Sequence, residues 1–216
     1  MNIQSLGVIA SGPACRLVAV ATIAFFAATG GAGAIAASAA GDQWSYRVIN
    51  GYNGEVRGSV RYRVERIDAG RVAVAVTSDM PALDAARTEI YTPEGNWVKH
   101  ALINHDQPVE YQFAQPYPAY VFPLEAGQSW SQRVDATPAA GGRRASVRVD
   151  GEVVGAERVT VPAGTYDTIK VKRRIYAGDF DGPRSETNIT ETEWYAPALG
   201  RAVLAEVNSN FMDQSL

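Results

Sequence analysis

From Gly41 onward the apolar residues recur at every second position almost throughout, a spacing that an amphipathic helix cannot use and a half-buried strand requires. Val56, Gly58, Val60, Tyr62 and Val64 alternate with Arg57, Ser59, Arg61, Arg63 and Glu65, giving one apolar face and one charged face. Asp68-Ala69-Gly70 then predicts a hairpin turn into Val72, Val74 and Val76. The same alternation runs through Val147 and Val149, Val159 and Val161, and Ile169 and Val171. Pro93-Glu94-Gly95-Asn96 and Pro162-Ala163-Gly164 read as tight turns, where proline presets φ and glycine or asparagine accepts positive φ. Only Pro81 to Arg87 suggests a helical turn. About eleven strands joined by short turns predict an all-β fold, a curved antiparallel sheet forming a barrel or half-barrel, with a sandwich as the alternative. The longest break, Thr137 to Arg144, is too short to separate domains, so residues 41–216 are expected to form a single β domain.

Two parts of that domain match in order. Gly41-Asp42-Gln43-Trp44-Ser45-Tyr46-Arg47-Val48 returns 86 residues later as Gly127-Gln128-Ser129-Trp130-Ser131-Gln132-Arg133-Val134. Ser59-Val60-Arg61 returns as Ser146-Val147-Arg148, and Ala69-Gly70 as Ala163-Gly164. Thr88-Glu89-Ile90-Tyr91-Thr92-Pro93 returns as Thr192-Glu193-Trp194-Tyr195-Ala196-Pro197. Collinear matches with growing offsets predict two related halves, about 41–125 and 127–216, the second carrying insertions. A residue common to both halves is most simply a packing residue, so any chemistry is expected where the halves differ.

Residues 1–40 hold one charge, Arg16, then an apolar stretch from Leu17 to Ala28 and an end of small residues, Ala37-Ser38-Ala39-Ala40. This is the pattern of a cleaved signal peptide; a membrane anchor is the alternative, its apolarity diluted by Gly30, Gly31 and Gly33. The one cysteine, Cys15, lies in this leader, so the domain is expected to stand without disulfides or thiolate metal sites. The net charge of −3 over the whole chain lacks the basic footprint of a nucleic-acid binder.

Val159-Thr160-Val161-Pro162-Ala163-Gly164-Thr165-Tyr166-Asp167 followed by Trp194-Tyr195-Ala196-Pro197-Ala198-Leu199-Gly200 resembles the signature of uncharacterised exported bacterial β proteins, domains of unknown function. The resemblance covers the second half well and the first half loosely. It implies a curved antiparallel sheet similar to periplasmic lipoprotein carriers and a location in the periplasm or outside the cell, and it assigns no catalytic residue. The same residues also have a purely structural use, a hairpin turn at Pro162 and Gly164 and aromatic packing at Trp194 and Tyr195.

Catalytic patterns are sparse. His100 and His105 lie near Asp106 but five apart, on opposite faces of a strand, and read as exposed strand and turn residues. Asp179-Phe180-Asp181-Gly182 lacks the later ligands of a calcium loop and reads as a polar turn. There is no Gly-x-Ser-x-Gly elbow. Glu191 and Glu193 share a face, as do Lys170, Lys172 and Arg174 on a nearby predicted strand, so cross-strand ion pairing on a wet face is expected. No catalytic residue, metal or cofactor is expected.

Two regions are specific to one half. Residues 111–123 carry Tyr111, Phe113, Tyr117, Tyr120 and Phe122 among three prolines, and these five rings are the candidate wall of a ligand-binding concavity. Lys170, Lys172 and Arg174 are candidate contacts for anionic groups. The expected function is non-enzymatic binding of a lipid or other apolar or amphipathic ligand; the alternative is an envelope interaction module without a small ligand. Membrane contact is expected only at the surface or through an uncleaved leader.

Overall fold

A computed structural model describes residues 15–20, 37–80, 86–104, 107–142, 144–178 and 185–213. The predicted helical turn at Pro81, the pair His105 and Asp106, and the turn at Asp179 to Gly182 lie outside these residues. The elements are β1 (Cys15–Val20), β2 (Gln43–Asn50), β3 (Val56–Asp68), β4 (Arg71–Ser78), β5 (Arg87–Tyr91), β6 (Trp97–Asn104), β7 (Gln107–Tyr117), β8 (Ser129–Pro138), β9 (Ala145–Val161), β10 (Gly164–Gly178), β11 (Ser185–Ala196) and β12 (Arg201–Asp213). One 3-10 turn, Pro197–Leu199, joins the last two strands and ends at Gly200, whose φ of 63° is the left-handed value a glycine cap supplies.

Strands β2 to β12 form one antiparallel meander of eleven strands in chain order, curled round a single core, so the sandwich alternative is not adopted. β1, within the segment expected to be a leader, pairs with β2 on one side and β12 on the other and completes the ring. The alternation read from the sequence decides which way each strand faces. Val60, Tyr62 and Val64 of β3 are buried while Arg61, Arg63 and Glu65 are exposed, and β4 buries Val76 and Val74 opposite Tyr62 and Val64, with Val72 buried further along.

β7 and β8 pair only at Tyr111–Phe113 against Pro138–Ala136. The chain from Pro118 to Ala126 fills the space where these strands diverge, burying Ala119 and Tyr120. Trp130 holds this segment by donating from its indole Nε1 to the Pro118 carbonyl at 3.0 Å. Its ring lies over Gly151, where a Cβ would stand 2.1 Å from Cε2, so only glycine fits.

The matched segments occupy corresponding strands six apart, on β2 and β8, β3 and β9, and β5 and β11, with the matched Ala-Gly turns after β3 and β9. Their registers differ: Trp44 stands opposite Tyr62, Trp130 opposite Gly151. The extra residues lengthen the second hairpin, β9 and β10 having 17 and 15 residues against 13 and 8 for β3 and β4. That hairpin end folds onto the chain's other signature segment: Val159, Val161 and Tyr166 pack with Trp194, Ala196, Leu199 and Val203 in a small second cluster.

Candidate functional site

The five aromatic candidates are brought together, as core. Tyr111, Phe113 and Tyr117 point inward from β7, with Tyr120 buried in the following segment and Phe122 half-buried beside it. Tyr117 stacks on Trp97 at 4.3 Å between centroids and packs against Phe113 at 5.3 Å. Tyr120 and Phe122 both meet Tyr195, at 5.0 and 5.7 Å. These rings spend their faces on one another, and none stands as the wall of an open rim.

The ion pairing expected on the wet face forms instead in the interior. Arg173 is opposite Glu191 and Val171 opposite Glu193, so both carboxylates share the inner face with Ile189. All three charged side chains are completely buried. The Arg173 guanidinium donates from Nε and Nη2 to Glu191 Oε2 at 3.1 and 2.7 Å, and Nη2 lies 2.6 Å from Glu193 Oε2. Nη1 donates to the Ala119 carbonyl at 2.8 Å, and the Tyr120 hydroxyl donates to Glu193 Oε2. The cluster therefore anchors the segment that closes the gap between β7 and β8. Lys170, Lys172 and Arg174 have the opposite parity and face outward, which is why none of them reaches Glu191 or Glu193.

A second buried cluster centres on Glu89. Arg87 Nε donates to its Oε1 at 2.9 Å, His100 Nδ1 lies 3.1 Å from its Oε2, and the Tyr91 hydroxyl donates to the same oxygen. His100, expected at the surface, is fully buried because the inward register of β6 sets it against Glu89 and stacks it on Trp97 at 4.2 Å. Trp97 joins the two clusters, with Arg173 Cζ 5.9 Å from its ring centroid.

The two glutamates titrate in opposite directions. Burial pushes the Glu89 carboxyl up, but the His100 and Arg87 charges and the bonds from His100 and Tyr91 outweigh it and bring it down to about 2. Burial drives Glu193 up; Arg173 pulls it back, Glu191 pushes it up again, and it reaches about 7. Glu89 thus contributes stability that is present above the ordinary glutamate value of 4.5 and lost as pH falls toward 2. Glu193 contributes stability that is full below 4.5 and lost as pH rises through 7. Thermal melts between pH 3 and 8 are expected to show a maximum near pH 5. Glu193→Gln should flatten the limb above it, which amounts to on the order of 3 kcal/mol. A wild-type profile flat from pH 5 to 8 would refute this assignment.

The outward basic residues have different uses. Lys170 reaches Glu157 at 3.3 Å and lies 4.7 Å from the Trp194 ring centroid. Lys172 and Arg174 line an open groove of about 650 Å³ on β8 to β11, together with Ser129, Ser131, Asp150 and Glu152. Asp150 is engaged there by Ser131 at 2.6 Å and Arg148 at 2.9 Å. The groove is lined mostly by polar side chains with charges of both signs, beside the Trp130 ring.

Sequence reasoning missed Arg173, Glu89, Arg87 and Trp97 as members of one interior network. A signal was present: Arg173 is in phase with Val171 and Ile175, and Glu191 and Glu193 are in phase with Ile189. Among the described residues no group of three or more His, Cys, Asp or Glu side chains could hold a metal ion, and no helix is long and apolar enough to cross a membrane.

No curated protein matches the chain. Among solved structures, a chain described as a lipoprotein from Parabacteroides distasonis is 16% identical with a TM-score of 0.47, the match covering 79% of this chain and 94% of that one. A chain described as an exported protein with a YmcC-like fold, from Bacteroides fragilis, is 18% identical with a TM-score of 0.47, covering 82% and 98%. The hypothetical lipoprotein YmcC of Escherichia coli is 10% identical with a TM-score of 0.39, covering 96% and 86%. A family described as DUF3108-like matches residues 126–208, a span that contains both signature segments, so the second half of the chain is similar to that family of unknown function.

Proposed function

We propose that this is an exported, non-catalytic interaction module of the bacterial cell envelope, which meets its partner through the sheet and not through a small ligand held inside it. The observation that carries this reading is the state of the candidate rings: four of the five, Tyr111, Phe113, Tyr117 and Tyr120, are between 0 and 3% exposed and packed into the core, and Phe122 is half-buried against them. An apolar ligand would have to displace that packing. The buried carboxylates support the non-catalytic part, since Glu191 and Glu193 are walled off from any substrate in solution. The leader supports export.

Protein purified from envelope extracts is expected to show no co-purified lipid in native mass spectrometry. The fluorescence of its four tryptophans should not respond to fatty acids or phospholipids. Repeated recovery of one bound lipid would overturn the reading and restore an interior ligand.

A further inference from the structure

We infer that β2 and β12, once the leader has been removed, form a strand-acceptor slot that takes an extended peptide segment of a partner protein. The inference rests on the interaction-module reading and specifies where the partner goes.

The chain's own leader strand displays the geometry. Cys15 to Val20 pairs antiparallel with Asn50 to Ser45 of β2, and Cys15 to Val18 pairs antiparallel with Val207 to Leu204 of β12. The two edges therefore stand one strand apart, about 9.5 Å, or twice the spacing between paired strands. Without β1, six residues of β2 and four of β12 lose a cross-strand partner. Unpaired strand edges of this kind template the addition of another strand.

The spacing of the edges does not depend on β1 alone. The Tyr46 hydroxyl of β2 donates to the Ala202 carbonyl of β12 at 3.0 Å, a bond that crosses the seam from inside. Close by, Arg201 Cζ lies 5.1 Å from the Trp44 ring centroid. These contacts hold the Trp44 end of the seam together, and the paired register runs from there to Asn50 and Val207.

The lining defines the guest. Tyr46 and Val48 on one edge and Ala205 and Val207 on the other are 0 to 4% exposed and belong to the core. Guest positions in register with Val48 and Ala205, and with Val207, share that inner face and call for apolar side chains. The position between them is in register with the half-buried Ile49 and Glu206 and tolerates a polar side chain. An acyl chain could cover the apolar lining but could not pair with the N–H and C=O groups of either edge, which is the reason to favour a peptide.

The test uses the chain expressed with its own leader and purified after export, with intact-mass measurement of its N-terminus. The probe is a synthetic peptide of the sequence Cys15–Val20, and its control is the same peptide with alternate amides N-methylated. Hydrogen exchange is expected to slow by about tenfold or more at β2 and β12 with the first peptide and to stay unchanged with the control. Three results would overturn the slot: an exported chain that retains residues 15–20, equal protection by both peptides, or no protection by either. Protection of these edges by fatty acid alone would overturn the peptide assignment in favour of a lipid. Failure of the peptide together with absence of bound lipid leaves the interaction-module reading standing, whereas lipid held among the interior rings refutes that reading directly.

Discussion

Replacing Arg173 by methionine is expected to cost the domain about 3–5 kcal/mol of folding stability, because it strands Glu191 and Glu193 as uncompensated carboxylates in the core. Burial by itself opposes the guanidinium charge, but the two carboxylates overcome it and hold Arg173 firmly protonated. The loss should appear in denaturant melts and as a fall in Tm of roughly 10 °C or more. Two independent costs combine in this variant. The carboxylates lose their counter-charge, and the Ala119 carbonyl loses the donor that ties the 118–126 segment to the barrel wall. The triple variant Arg173→Met, Glu191→Leu, Glu193→Leu separates them, since apolar side chains can replace a buried ionic cluster with little net loss. It should recover at least half of the lost stability. A single variant as stable as the parent would show that the interior charge contributes nothing.

Trp97→Ala should be comparably severe, at about 3–5 kcal/mol, through the cavity left by a fully buried indole. Trp97 stacks on Tyr117 on one side and on His100 on the other, so its removal also frees the imidazole that helps hold Glu89 ionised. Urea melts measure the stability, and near-ultraviolet circular dichroism reports the loss of fixed ring packing. Trp97→Phe keeps part of the stack and is expected to lose less than half as much. Equal losses for the two variants would show that an aromatic ring retained at this position contributes nothing, and would refute the stacking account.

Most of the sheet was legible because period-two alternation is a local property. Val60, Tyr62 and Val64 declared their face without reference to any partner, and the turn at Ala69 and Gly70 took the positive φ values of 44° and 72° its short loop demands. The interior network was not legible in the same way. Parity alone places Arg173 inward with Val171 and Ile175, but a buried arginine is acceptable only if distant groups satisfy it. Those groups are the Ala119 carbonyl, 54 residues away, and glutamates on the next strand. Seeking chemistry only where the two halves differ also led away from the network. Glu89 and Glu193 occupy the same place in the matched Thr-Glu-x-Tyr segments, and both are buried charges. What differs is the neutralising partner: His100 and Arg87 for one, Arg173 for the other. The five rings were read as a ligand-binding wall, whereas they pack in or against one core cluster, because their exposure depends on how the 118–126 segment fills the gap between β7 and β8.

The chain-order meander also sets how this domain can assemble. From β2 to β12 each sheet neighbour is the next strand along the sequence, so every hairpin can form as soon as its own residues are available. A polypeptide crossing a membrane N-terminus first can therefore fold progressively on the far side, one hairpin at a time. The two ends join last, because Tyr46 and Ala202 are separated by 156 residues and can meet only when the last strand has emerged.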